Sequence, residues 1–443
     1  MTSITREPDS PELGVPVSHS DMSAMIDRSS PPPAERIRIT PASFDALTRD
    51  LPFATRQAFR FAVLIEYGSL TVRLPDDRVY LFEGSHPGPR AEISARDFGF
   101  ARRLAEGGEI GFAEAYLRGE WETPDLTRFL ELFCANHTLI SRLLEDRPLV
   151  RMWQQFRHWM NRNTKRGSRR NIHAHYDLGN RFYESWLDDT MTYSSALFAD
   201  GENGRDLVAG QLRKYSVLAE QTRIGPEHHV LEIGCGWGGF AEFAAKTVGC
   251  KVTGLTISRE QYDYARKRIF EQGLAEKVDI RLQDYRDETG TYDRIASIEM
   301  FEAVGEQYWP VYFDQLSRRL CDGGVAGLQV ITIQDSMFEA YKREVDFIRR
   351  YIFPGGMLPS PGIMRRLGEA AGLSLRDERE FGLDYAATLV VWRERFRAAW
   401  PNLVPMGFDE RFRRTWEYYL SYCEAGFRSG NIDVRQLVYA KGA

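Results

Sequence analysis

Residues 230–249 read "VLEIGCGWGGFAEFAAKTVG". Residues 230–233 have the apolar character of a buried strand. Gly234, Gly236, Gly238 and Gly239 follow, and a helix opens near Phe240. A strand that turns through glycines straight into a helix belongs to an α/β sheet. Glycines in that turn allow positive φ and let a ligand approach the backbone. The helix N-terminus then favours an anionic or polar ligand group. Further candidate strands are "KVTGLTIS", "KVDIRLQDY", "YDRIASIEM" and "GGVAGLQVITI". Strands and helices alternate from about residue 171 to 443, which predicts one α/β domain there.

Upstream, residues 38–148 predict a smaller α+β domain. "GSLTVRLPDDRVYLFEG" alternates around a Pro-Asp-Asp turn and reads as a hairpin. "DFGFARRLAEGGEIGFAEAYLRG" and "DLTRFLELFCANHTLISRLL" read as helices with one apolar face. Residues 1–37, with "SSPPPAER", lack apolar periodicity and are expected to be disordered. The five cysteines show no CxxC spacing, so neither a disulfide framework nor a metal site is expected. The chain has no apolar run of about 20 residues and no apolar signal core at its start. A cytoplasmic location is the expectation.

The glycines alone suit NAD as well as S-adenosylmethionine, and a glycine-rich packing turn without ligand is the plain alternative. Two details favour S-adenosylmethionine. Glu232 lies just before the first glycine, where it can face a cationic ligand. The second strand ends in "TGLTIS", with no acid to hold a nicotinamide ribose. Thr256, Ser258 and Gln261 are candidates for the ribose, and Gln283 and Asp284 for the adenine edge. Each is otherwise a helix cap or a loop residue. Glu302 beside Met300 and Phe301, and Tyr385 in "FGLDYAATLVVW", suit an oily pocket with one buried carboxylate. No basic groove for nucleic acid is evident.

Residues 149–170 stand apart. The chain is mildly acidic, with 58 Lys and Arg against 63 Asp and Glu, yet this stretch is basic and aromatic. Trp153, Phe156 and Met160 share one helical face, with Trp159 beside it. Cations gain about 1 kcal/mol each near an anionic bilayer, and aromatic residues enter its interface. A membrane-contact helix is one reading and a solvated linker the other.

Together these pieces resemble the cyclopropane-fatty-acyl-phospholipid synthase family. The resemblance rests on "HYDLGNRFYESWLDDTMTYSS", "VLEIGCGWGGFAEFAA", "LTISREQYDYARKR", "LQDYRD", "MFEAVG", "YIFPGGMLPS", "FGLDYAATLVVWRERF" and "AGFRSGNIDVRQLVYAKG". It implies a Rossmann-like class I S-adenosylmethionine methyltransferase domain and methyl transfer to a cis double bond in a phospholipid acyl chain. It implies cofactor contacts at Tyr193, Ser194, Glu232, Gly234, Cys235, Gly236, Trp237, Gly238, Gly239, Thr256, Ser258, Gln261, Gln283 and Asp284. In ring-forming members a bound bicarbonate removes a proton from the new methyl group. That site carries over only in part. Glu302, Ile331 and Tyr385 match, but Ser195 stands where the family has Cys and Gln329 where it has His. Gln donates a hydrogen bond but cannot ionise. The anion is then held more weakly, or replaced by water or a carboxylate. Methyl transfer is expected to survive, with its outcome shifted toward methyl-branched unsaturated chains. The alternatives are a cyclopropane synthase, a headgroup N-methyltransferase, and a non-catalytic membrane protein. An inner-face membrane location, a homodimer and a downstream lipid-modifying enzyme complete the expectations.

Overall fold

The computed structural model describes residues 36–136, 178–199 and 206–442. The basic aromatic stretch 149–170 lies outside the described residues, as does the expected disordered segment apart from its last two positions. Those two, Arg36 and Ile37, begin a strand instead. Strand β1 (Arg36–Ile39) gains a parallel partner in β3, a long-range pairing that local composition does not announce.

The first sheet holds β1, β2 (Tyr67–Arg73), β3 (Val79–Glu83), β4 (His86–Ala95) and β5 (Trp121–Glu122) in the order β1-β3-β2-β4-β5. Strands β2 and β3 form the expected antiparallel hairpin, with Asp77 at φ 65° in its turn. Helices α1 (Phe44–Leu47), α2 (Phe53–Ala62), α3 (Gly99–Leu117) and α4 (Leu126–Ala135) accompany this sheet. Helix α3 is interrupted at Gly108, whose φ 58° and ψ −139° are open mainly to glycine. Asp125 caps α4, its carboxylate accepting the Arg128 N–H at 2.9 Å.

The second sheet contains the five expected strands: β6 (His229–Ile233), β7 (Lys251–Thr256), β8 (Val278–Leu282), β9 (Tyr292–Ile298) and β10 (Leu320–Ile333). Two more, β11 (Leu373–Glu380) and β12 (Ile432–Lys441), complete the order β11-β12-β10-β9-β6-β7-β8. Strand β12 runs antiparallel between β10 and β11. The chain proceeds outward through β6, β7 and β8, then crosses back to β9. The crevice beyond the carboxyl ends of β6 and β9 is the place where open α/β sheets bind ligands.

Helices α5 (Asn180–Glu184), α6 (Leu207–Gln221), α7 (Gly239–Phe243), α8 (Arg259–Glu271), α9 (Trp309–Arg319), α10 (Asp335–Arg343), α11 (Pro361–Ala370), α12 (Gly382–Leu403) and α13 (Glu410–Arg428) pack around the second sheet or extend from it. The aromatic run at 182–186 is core. Phe182, Tyr183 and Trp186 are fully buried against Trp392 of α12 and Trp416 of α13. The apolar core of the first sheet continues onto α5, α12 and α13 and reaches the second sheet at Val434 of β12, while the rest of the second sheet packs in two further apolar clusters. Ion pairs Arg350–Glu114 at 2.9 Å and Arg414–Glu122 at 2.7 Å also cross between the two parts. Among the described residues, no helix is long and apolar enough to cross a membrane.

Candidate active site

A cavity of about 1330 Å³ is lined by residues from the glycine turn to the first sheet. One end is formed by Glu232 to Trp237 with Gly239. The other is formed by Phe61, Ile65, Leu70 and Phe112. Its walls are mostly hydrocarbon, as a pocket for an apolar substrate requires.

The turn after β6 is pinned by two hydrogen bonds. The N–H groups of Gly234 and Cys235 both donate to the Leu255 carbonyl, at 3.0 and 2.9 Å. Gly234 has φ 82°, and a Cβ there would stand 2.6 Å from Met300 Cγ. Gly236 has φ 51°, and a Cβ there would meet nothing within 4 Å. The first glycine therefore answers to packing and the second to open ligand space. Gly234→Ala is expected to cost about 1–3 kcal/mol from backbone strain, and to weaken S-adenosylmethionine binding. Thermal unfolding and binding calorimetry check this. An unchanged Tm and affinity would contradict it.

Glu232 is 3% exposed, and its Oε2 atom has no hydrogen-bond partner. Burial raises its pKa to about 8, while Ala241 N–H, Arg268 and Lys214 pull the other way. An uncompensated buried carboxylate is costly, so the group is poised for a cation. The orphaned oxygen and the open face at Gly236 fit S-adenosylmethionine, whose charged groups and edges need such partners.

The other expected cofactor residues divide. Tyr193, Ser194, Trp237, Thr256, Ser258, Gln261, Gln283 and Asp284 line the cavity. Gly238 does not. A Cβ there would press on Ala265 of α8 at 3.1 Å, so its role is helix packing at φ 84°. Several lining residues are also tied locally. Ser258 caps α8 through the Gln261 N–H at 3.3 Å. Thr256 Oγ1 donates to Gln261 Oε1 at 2.9 Å. Asp284 is paired with Arg286 at 2.6 Å, and Gln283 Nε2 donates to Glu288 at 3.0 Å.

The centre of the cavity holds two carboxylates, Glu299 and Glu302, just after β9. Glu299 stands at φ 50°, an uncommon backbone state for a side-chain-bearing residue. Its own N–H donates to the Gln329 carbonyl at 2.8 Å. The carboxylate accepts three hydrogen bonds. Ser195 N–H and Gln329 Nε2 donate to Oε1 at 2.9 and 2.8 Å, and the Tyr385 hydroxyl donates to Oε2 at 2.5 Å. Ser195 and Gln329 are fully buried and do not reach the cavity. Glu299 stands between them and the open space. Named from the resemblance as positions of the anion site, they stand here as donors behind a carboxylate. The Ser195 hydroxyl turns away and donates to the Ala196 carbonyl at 2.8 Å.

Glu302 differs. Its Oε1 accepts the Ile331 N–H at 2.5 Å, and its Oε2 has no partner. Burial first, and then the charge of Glu299, raise it to about 8. Burial also raises Glu299, but Lys214, Tyr385, Ser195 and Gln329 all oppose that rise. Two like charges this close do not both ionise readily. Glu299, with three hydrogen-bond donors and Lys214 opposing its rise, is the more favoured of the two to carry the charge, and Glu302 the more favoured to keep a proton. Burial and Glu299 hold the Tyr385 phenol well above its usual range, so it donates rather than ionises.

Glu302 carries a sign that can be tested. Its folded value of about 8 exceeds the ordinary 4.5. Its contribution to stability is therefore complete below pH 4.5 and is lost as pH rises through about 8. Glu302→Gln is expected to flatten the fall in apo-protein stability over that window. Denaturant titrations at several pH values check this. An equally steep fall in both proteins would show that Glu302 does not titrate there.

The signature described as mycolic acid cyclopropane synthetase matches residues 163–437. The chain belongs to this family. It is 41% identical over 344 residues to tuberculostearic acid methyltransferase UfaA1 of Mycobacterium tuberculosis, covering 76% of this chain and 80% of that one. It is 34% identical over 394 residues to the cyclopropane-fatty-acyl-phospholipid synthase of Escherichia coli K12, covering 84% and 96%. The solved mycolic acid cyclopropane synthase CmaA1, in complex with SAH and CTAB, superposes with a TM-score of 0.58 at 29% identity, covering 62% of this chain and 98% of that one.

As a member of the cyclopropane synthetase family the protein is an S-adenosylmethionine-dependent enzyme that methylates unsaturated fatty acyl chains. The family pattern directs attention to Glu302 in "MFEAVG" and passes over Glu299, three residues earlier in "IEMFEAVG". The available signal was a second glutamate at a strand end, beside a site whose Cys and His positions carry Ser and Gln. Nothing local showed that it reaches Ser195 and Tyr385, because those contacts span 104 and 86 residues.

Proposed function

We propose that the protein transfers a methyl group to the cis double bond of an acyl chain carried by a membrane phospholipid, and that the product is methyl-branched and still unsaturated. The observation that carries this reading is the Glu299 carboxylate, held by Ser195, Gln329 and Tyr385 at the point where the family resemblance implies an anion. A carboxylate supplied by the chain itself leaves little need for bicarbonate.

Bound at the glycine turn, S-adenosylmethionine supplies the methyl group. The alkene's π electrons form the new C–C bond, S-adenosylhomocysteine departs, and the positive charge falls on the chain. Glu299 stabilises that charge in a water-poor cavity, where a fixed carboxylate acts strongly. It then accepts a proton, so the C–H electrons become a new double bond. Loss from a neighbouring chain CH2 leaves the double bond in the chain. Glu302, protonated, donates rather than competes as a base. A relative named for tuberculostearic acid supports the branched outcome.

The phospholipid form of the substrate and the peripheral membrane location rest on the E. coli relative's name and on residues 149–170. Vesicles of cis-monounsaturated phospholipid and methyl-labelled S-adenosylmethionine test the reading. Label is expected in the released acyl chains and not in the headgroup. Label confined to the headgroup would establish the N-methylation alternative.

A further inference from the structure

Lys214 lies on α6 and is fully buried. Its ammonium donates to Ser194 Oγ at 2.7 Å and stands 4.8 Å from the centre of the Tyr215 ring. It makes no ion pair among the described residues. A buried cation of this kind is expensive, and a packing role alone would be filled better by Met or Leu. Burial pulls its pKa down to about 7, and the charges of Glu299, Asp188 and Glu232, Glu299 first, oppose that fall and favour the ammonium.

Two chains of hydrogen bonds join Lys214 to Glu299. In the first, Lys214 holds the hydroxyl of Ser194, and Gln211 Nε2 holds the carbonyl of Ser194 at 2.9 Å. The next N–H along, that of Ser195, donates to Glu299. The second runs from the main chain of residue 214 and does not involve the ammonium: Gln436 Nε2 donates to the Lys214 backbone carbonyl at 3.3 Å and to Gln329 Oε1 at 3.1 Å. That bond fixes the Gln329 amide so that its NH2 group points at Glu299. Gln211, Lys214, Ser195, Gln329 and Gln436 are all completely buried.

We propose that Lys214 is a positioning residue: its ammonium is the fixed countercharge that keeps Glu299 an anion in the empty site, ready to accept a proton after methyl transfer. The inference rests on Glu299 being the base. The groups facing Glu299 are Lys214 on α6, Tyr385 on α12, Cys423 on α13, Gln329 on β10, and Glu302 beside it. Of these only Lys214 brings positive charge. The sulfonium of bound S-adenosylmethionine adds a second cation, so the dependence on Lys214 is greatest before the cofactor binds.

The test counts protons in the full-length protein. Binding of S-adenosylmethionine is measured by calorimetry in two buffers of different ionisation enthalpy. Lys214→Met is expected to leave Glu299 protonated in the empty site, so that binding releases close to one proton more than in the wild type. The excess should vanish in Lys214→Met/Glu299→Gln. A merely structural lysine would alter affinity without this excess, and equal proton counts in wild type and Lys214→Met would overturn the proposal. A second measurement needs no variant at Lys214. By reciprocity, Glu299→Gln should lower the titration midpoint of the Lys214 ammonium, followed by 15N NMR, by about one pH unit or more, a tenfold effect. An unshifted midpoint overturns the proposal even if Lys214→Met fails to fold. If Glu299→Gln turns over at the wild-type rate, the base assignment itself falls, and this inference falls with it.

Discussion

Glu299→Gln is expected to lower kcat by roughly 10²- to 10⁴-fold, the range for removing a positioned general base. S-adenosylmethionine affinity should change only a few-fold. The amide matches the carboxylate in shape. Its oxygen can still accept from Ser195 and Gln329, and its NH2 group can donate to the Tyr385 oxygen. What is lost is the negative charge beside the chain cation and the lone pair that takes the proton. Glu302→Gln should be far milder, because a protonated carboxyl and an amide both accept at one oxygen, here from Ile331 N–H. Rapid-quench kinetics on unsaturated vesicles give both numbers. If Glu302→Gln is the crippled enzyme and Glu299→Gln is nearly normal, the roles of the two carboxylates are reversed.

The second large effect is a change of product. Ser195→Cys with Gln329→His, at the positions where the family resemblance implies Cys and His, leaves Glu299 filling the space between them and the cavity. Those two changes alone are expected to give a branched product still. Adding Glu299→Gly opens the position, and glycine suits the φ of 50° found there. The triple variant, supplied with bicarbonate, is expected to form cyclopropane chains and to lose activity when bicarbonate is stripped. Gas chromatography of the released chains separates ring from alkene. A triple variant that still makes only branched alkenes would show that another feature directs the carbocation.

Much of the fold was legible in the sequence because it is locally encoded. Apolar runs marked β6 to β10, and the glycine turn marked the start of the α/β unit. Strands β11 and β12 were not legible in the same way. The segment "LSLRDERE" has five charged residues in eight, as suits an edge strand, and β12 returns only after the long helices α12 and α13. The cofactor end of the site was legible from Glu232 and the glycines. Gly238 was the exception, since its contact with Ala265 depends on where α8 packs. The reacting centre was legible only by type of residue. Ser195, Gln329 and Tyr385 do converge, but on Glu299, which comes from a different element and adopts a left-handed backbone. Lys214 reads from sequence as an ordinary helix residue and gains its meaning only from complete burial beside Ser194.

The most direct measurement supplies S-adenosylmethionine with a fully deuterated methyl group and cis-monounsaturated phospholipid vesicles. The labelled acyl chains are released and weighed before and after ozonolysis. Chains that are cleaved by ozone and keep all three deuteriums are the predicted result, since Glu299 then removes its proton from the chain and leaves an alkene. Labelled chains that resist ozone and keep two deuteriums are cyclopropanes, and would contradict the role assigned to Glu299.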